Sequence, residues 1–247
     1  MGLPTGFLYG LIPTWLSTEI VRIFAGACRS DDDTEDIVIA PGSFVTITIT
    51  STGANGRNVD TAEAANKWYA VYVIKDPATG TVAGFLINES DLATFTWPAG
   101  YTKKRRVGWI RNNNSSNLRA GKYVGAGVSR KWQYDVERTE MLALSGGAAI
   151  VFTGVNLAEW VPPNLNSAYV PKVELRGVYD PLGTSFVDFR PNGSAVNDPV
   201  FFSYQATAAE SFEVEMYADI NRIIEYQCSN AGDSVSLYVC GFQDELI

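Results

Sequence analysis

Five carboxylates occupy six consecutive positions in Asp31-Asp32-Asp33-Thr34-Glu35-Asp36. Such a run invites a hard-cation reading, since calcium takes about six to eight oxygen ligands. An EF-hand loop needs alternating oxygens, a central glycine and a distal glutamate, and this run has none of that spacing. A solvated acidic turn leading into Ile37-Val38-Ile39 is the better reading, with Asp31, Asp32 and Asp33 free to meet a basic segment of another copy. Lys103-Lys104-Arg105-Arg106 is the densest basic cluster, followed by Arg111, Arg119, Lys122, Arg130 and Lys131. Trp97, Tyr101, Trp109 and Trp132 are interleaved with it, the composition of a phosphate-contacting, base-stacking surface. In a strand, however, Arg106 and Arg111 point to opposite faces, and a pI of 4.6 argues against a dedicated nucleic-acid binder.

Other chemistry is thinly represented. The chain has no histidine, which removes Ser-His-Asp and Cys-His nucleophile systems, most zinc sites and the histidine pH switch. Cys28, Cys228 and Cys240 have no metal-ligand spacing. If Ile223–Cys228 and Val235–Phe242 form one hairpin, Cys228 and Cys240 lie roughly 17 Å apart along it, too far to bridge. Free, buried thiols are therefore expected. No phosphate-binding loop or dinucleotide fingerprint appears, so no cofactor, metal or catalytic residue is assigned. The polar run Asn112-Asn113-Asn114-Ser115-Ser116-Asn117 reads as a hairpin tip whose amides suit sugar hydroxyls. A glycan hydrolase would need two carboxylates facing each other across a cleft, which sequence does not place.

Net charge is −8, and it is unevenly spread: residues 1–100 carry −6, residues 101–140 carry +7 and residues 141–247 carry −9. Opposite patches of this kind steer association and set register, within a chain or between copies. The apolar start has no basic leader region and carries Pro4 and Pro13. The longest uncharged stretch, Met141 to Ala158, alternates like a strand and contains several glycines. A soluble protein made in a cytoplasm, with no membrane partner, is the expectation.

The elements that must carry these residues have a period of two almost throughout. Phe44-Val45-Thr46-Ile47-Thr48-Ile49-Thr50 alternates bulky and threonine positions, as a half-buried strand does. Trp68 to Ile74 and Thr81 to Ile87 flank Asp76-Pro77-Ala78-Thr79-Gly80 and read as a hairpin. Further strands are expected over 106–111, 122–128, 131–136, 141–144, 148–152, 172–178, 185–189, 200–204, 212–217, 223–228 and 235–242. Turn signals at intervals of about 8–12 residues suit sandwiches. The spacing predicts one short helix, Asp60 to Asn66. The fold class expected is all-β: two β-sandwich or jelly-roll-like units with an apolar N-terminal arm and at most one short helix. The divisions are an arm over 1–20, a mixed β domain over 21–155, a Pro-rich linker over 156–171 and a C-terminal β-sandwich over 172–247. Phe7, Leu8, Tyr9 and Trp15 in the arm are too apolar to float free; they cover this chain's own core or insert into a partner.

Several segments resemble a family of virion structural proteins of tailed bacteriophages and prophages, usually described as tail-fibre or tail-associated. The carrying residues are Gly6-Phe7-Leu8 with Gly10-Leu11, Ile37 to Gly42, Asp60-Thr61 leading into Asn66 to Ile74, Asp76 to Val82, and above all Gly100-Tyr101-Thr102-Lys103-Lys104-Arg105-Arg106-Val107-Gly108-Trp109-Ile110-Arg111. The resemblance covers residues 6–111 and implies an assembly role without bond-making chemistry. It implies a virion location, with other copies of the chain (a trimer is expected) and other virion proteins as partners. Capsid decoration is the close alternative, and a module recognising a host surface glycan is another; nucleic acid is not an expected partner. The expected contact residues are Phe7, Leu8, Tyr9, Trp15, Asp31, Asp32, Asp33, Lys103, Lys104, Arg105, Arg106 and Arg111.

Overall fold

The computed structural model describes residues 2–163, 171–195 and 202–246. The chain forms two compact units, one of residues 1–135 with 244–247 and one of residues 136–243. Both are built of strands, and the fold class is all-β sandwich.

In the first unit, β1 (Leu8–Gly10) and β2 (Pro13–Trp15) lie end to end along one side of β3 (Ile20–Arg29). On its other side β3 pairs with β4 (Asp36–Thr48), across a bulge between Phe24 and Gly26. The sheet continues from β2 to β9 (Gly121–Val124) and β10 (Ser129–Tyr134). The facing sheet runs β5 (Gly56–Arg57), β7 (Val82–Asn88), β6 (Trp68–Lys75), β8 (Lys103–Arg111). The expected hairpin is β6–β7, paired from Tyr69–Asn88 to Lys75–Val82. The sheets approach closely at two glycines. A Cβ on Gly84 would stand 2.3 Å from Ile47, and one on Gly108 would stand 2.7 Å from the Tyr123 ring. Beyond the sandwich, Phe95 and Trp97 close over the other face of β6–β7, so Ile74, Ala83, Phe85 and Ile87 are buried there as well.

Three expectations are corrected in this unit. The first twenty residues are no separate arm. Leu8 and Leu11 are core, and Trp15 donates its indole N–H to the Leu118 carbonyl at 2.9 Å. Sequence could not choose between own core and partner, because an apolar strand looks the same in either role. Asp60 to Asn66 is not helical; it is bends and turns. Its polar groups are spent elsewhere: Asn58 and Thr61 donate to Asp91 at 2.9 and 2.6 Å, and Asp60 accepts the Thr96 N–H at 2.7 Å. Such side-chain bonds compete with a helix. The unit boundary falls at 135/136, so the segment 156–171 lies inside the second unit. There Leu157, Trp160 and Val161 are buried, while residues 164–170 of the expected linker lie outside the described residues.

The second unit begins with a turn of 3-10 helix, Arg138–Met141, and continues as β11 (Leu142–Gly147), β12 (Thr153–Asn156), β13 (Lys172–Asp180), β14 (Ser185–Pro191), β15 (Phe202–Ala206), β16 (Glu210–Tyr217), β17 (Ile223–Cys228) and β18 (Ser234–Glu245). Two four-stranded layers result, β11-β18-β13-β16 and β12-β17-β14-β15. This strand order is that of an eight-stranded jelly roll. Its core includes Phe189 of one layer at 5.5 Å from Phe212 of the other. β17 and β18 therefore lie in opposite layers, and the expected hairpin between them does not exist. Asn230 to Asp233 is a crossover. Cys28, Cys228 and Cys240 are free thiols.

One carboxylate ties the crossover to the β13–β14 turn. Asp233, 1% exposed, accepts from Tyr179 at 2.8 Å, Ser185 at 2.9 Å, the Leu182 N–H at 2.7 Å and the Asn230 N–H at 3.0 Å. Burial pushes its carboxyl up, but these donors outweigh burial and hold it below the ordinary range. Stabilisation from a depressed carboxylate is complete above its unfolded pKa, about 3.9, and is lost as pH falls through the folded value. Asp233→Asn is expected to cost about 2 kcal/mol at neutral pH. In urea titrations the gap to wild type should shrink as pH falls from about 5 to about 2; a gap constant with pH would contradict this account.

Candidate functional site

The acidic run and the basic run meet inside the first unit. Asp32 accepts from Lys103 at 2.7 Å, and Asp31 pairs with Arg105 at 3.5 Å. Glu35 pairs with Lys75 at 2.7 Å, while Arg29 bridges Asp33 at 3.0 Å and Asp36 at 2.9 Å. Lys103, Ser30 and Thr34 hold the Asp32 carboxyl below the usual range, whereas burial pushes Asp31 up against the pull of Arg105. All five carboxylates thus face protein cations. Among the described residues no group of three or more ligating side chains is placed to hold a metal.

The rest of the basic run turns inward. Lys104 sits over the Trp97 ring at 4.3 Å, and Arg111, buried, donates to the Asn66 carbonyl at 2.6 Å. Arg105 donates to the Leu246 carbonyl at 2.6 Å. Arg106 donates to Asp244 at 2.7 Å and to the Glu245 carbonyl at 2.6 Å. Tyr123 completes this group, donating its hydroxyl to Asp244 at 3.1 Å and accepting the Trp109 N–H at 2.7 Å. Burial, reinforced by Asp244, raises the Tyr123 hydroxyl well above its ordinary value.

Arg130, 1% exposed, stands beside them. Its guanidinium donates to the Gly127 carbonyl at 2.8 Å, Val107 at 3.0 Å, Leu11 at 3.2 Å and Ala126 at 3.4 Å, and also to Gly10. One side chain thereby ties the β1–β2 connection, β8 and the β9–β10 turn. Sequence reasoning placed Arg130 in the basic stretch without a role, because its carbonyl partners leave no mark on the sequence.

The outward face of the first sheet is different in character. Phe44 pairs with Phe24 across β4 and β3, with ring centroids 6.2 Å apart. The Phe24 N–H donates to Ile12, and Val124 follows two residues after Lys122, the partner of Thr14. A second row joins Tyr9, Ala27 and Val38. Tyr9 is 64%, Phe24 43%, Phe44 48%, Val38 52% and Val124 48% exposed. Arg22 lies over Phe44 at 4.0 Å, and its Nε is buried without a hydrogen-bond partner. Of the expected arm contacts, Tyr9 reaches this surface, Leu8 is core, and Phe7 and Trp15 are half-buried. Phe24, Phe44 and Arg22 were missed. A signal existed: Phe44 falls in the phase of Thr46 and Thr48, where an aromatic ring has no core to enter.

Other readings find less support in the geometry. The six tryptophans are buried or half-buried, and the exposed rings among the described residues include Tyr9, Phe24, Phe44 and Tyr217. Burial pushes the thiols of Cys28 and Cys228 up to about 12 and about 11, the opposite of an activated nucleophile. No protein-family model and no curated protein matches the chain. Among solved structures, a Bacillus thuringiensis Cry1Da tryptic core variant aligns with 98% of this chain and 50% of that one, at 8% identity and a TM-score of 0.19. This chain spans half the length of that structure, and a likeness at this level carries no argument.

Replacing Arg130 tests the inward role of the basic run. Arg130→Lys keeps the charge, but a single ammonium cannot reach carbonyls on three segments. It is expected to lower stability by about 3 kcal/mol, measured by urea unfolding with tryptophan fluorescence. A change below about 0.5 kcal/mol, the level of an ordinary surface substitution, would contradict the assignment.

Proposed function

We propose that this chain is a non-enzymatic structural component of a tailed-bacteriophage virion that assembles as a symmetric oligomer in the tail or tail-fibre apparatus. The observation that carries the assembly reading is the outward face of β3 and β4. It combines exposed aromatic rings with an arginine stacked on one of them, the residue types that dominate interface hot spots. A monomer gains nothing by exposing Tyr9, Phe24 and Phe44 together, and contiguous patches of this kind mark interaction surfaces. The jelly roll is compatible, being a fold of viral capsid and lectin domains, although topology alone does not assign function. The resemblance over residues 6–111 supplies the virion context.

The basic stretch 103–131 has a smaller part in this proposal than its composition suggested. Lys103, Arg105, Arg106, Arg111 and Arg130 already have partners within their own unit. Contact with other copies is left to the sheet face that carries Tyr9.

The test is the molar mass of the purified full chain by light scattering at low salt and at about 0.5 M, where the screening length is roughly 4 Å. A discrete oligomer is expected, loosening as salt rises. A monomer at all protein concentrations would overturn the assembly reading.

A further inference from the structure

The two units divide the charge of the chain between them unequally. The first unit has fourteen basic and fourteen acidic side chains and is neutral, so the whole net charge of −8 belongs to the jelly roll. Part of that excess lies on the outward face of one layer. β16 alternates buried Phe212, Val214 and Met216 with exposed Ser211, Glu213, Glu215 and Tyr217. On neighbouring β13, Glu174 stands directly opposite Glu215, and Arg176 opposite Glu213. Lys172 pairs with Glu215 at 2.5 Å, so these two strands carry three carboxylates and two cations over this stretch, an excess of one negative charge.

The outward face of the first unit is complementary. Its central rows, Thr46-Arg22-Thr14-Lys122 and Phe44-Phe24-Ile12-Val124, carry cations and apolar groups and no carboxylate. Lys122 is exposed, and Arg22 is half-buried with its guanidinium over the Phe44 ring. Arginine combines stacking on an aromatic face with donors whose geometry matches a carboxylate.

We infer that the β3–β4 face of one copy seats the β13–β16 face of the jelly roll of a second copy, with Arg22 and Lys122 meeting Glu213 and Glu215 while Phe24 and Phe44 exclude water around them. This inference rests on the assembly reading and gives it a geometry. The contact is heterologous, since different surfaces of the two copies meet, and such contacts close into rings when the rotation permits. The aromatic rows form the desolvated centre and the charges set register and partner, which is the usual division of labour at interfaces.

The test is charge exchange in the full chain. Arg22→Glu with Lys122→Glu, and separately Glu213→Lys with Glu215→Lys, are each expected to weaken self-association about tenfold or more. A chain that carries all four reversals should recover the wild-type molar mass in light scattering, because each reversed face then meets a reversed partner in a ring of any size. Thermal unfolding checks that both variants are folded. Should the Arg22 variant fail that check, the exposed pair Lys122→Glu and Glu213→Lys gives the same comparison. Oligomers that persist in both variants, or a folded chain with all four reversals that does not recover, would overturn this contact while leaving assembly intact. A monomeric wild type would remove the assembly reading itself.

Discussion

A buried guanidinium fixes the first unit. Among the described residues Arg130 has no carboxylate in its hydrogen-bond shell; its donors go to backbone carbonyls of the β1–β2 connection, β8 and the β9–β10 turn. Beside it Arg106, Tyr123 and Asp244 bring the last residues of the chain into the same unit. Burial pulls the Arg130 pKa down, with Tyr123 and Asp244 opposing that pull. Removing any member leaves a buried donor or charge without its partner, a far larger penalty than the loss of a surface pair. Chain entry, chain end and the basic strand are thus mutually dependent, although they are far apart in sequence.

That dependence explains why the charge pattern misleads when taken alone. A +7 stretch in an acidic protein suggests an outward patch. In the fold, Lys103 and Arg105 answer the acidic turn, while Arg106, Arg111 and Arg130 answer carbonyls and Asp244. The proposed contact between copies therefore uses the face bearing Arg22 and Lys122 and the acidic face of the jelly roll. Both surfaces come from the unbalanced phase of a strand. Phe24 and Phe44 occupy positions with no core beneath them, and Glu213 and Glu215 follow the exposed phase of β16.

Legibility in the sequence followed the range of the interactions involved. The β6–β7 hairpin, with its Asp76 to Gly80 turn, was readable because local turn chemistry and alternation agree. Most strands of the jelly roll were readable for the same reason, but the one expected over 148–152 forms instead at Thr153–Asn156. Layer assignment was not: Ile223–Cys228 and the strand after it look like a hairpin, yet they enter opposite layers, since nothing local distinguishes a turn from a crossover. The segment Asp60 to Asn66 was misread as a helix because its polar side chains bond to the loop around Asp91 and Thr96, contacts about thirty residues away in sequence. The inward basic cluster was hidden likewise, its acceptors being mostly backbone carbonyls, which every residue has.

The central claim is that copies meet through the Arg22 and Lys122 face and not through the basic run, and lysine acetylation footprinting separates these directly. Full-length protein is labelled at concentrations below and above assembly, and each lysine is quantified by mass spectrometry. The account predicts that Lys122 becomes protected in the oligomer while labelling of Lys103 and Lys104 stays the same. Protection of Lys103 and Lys104 with Lys122 unchanged would contradict it.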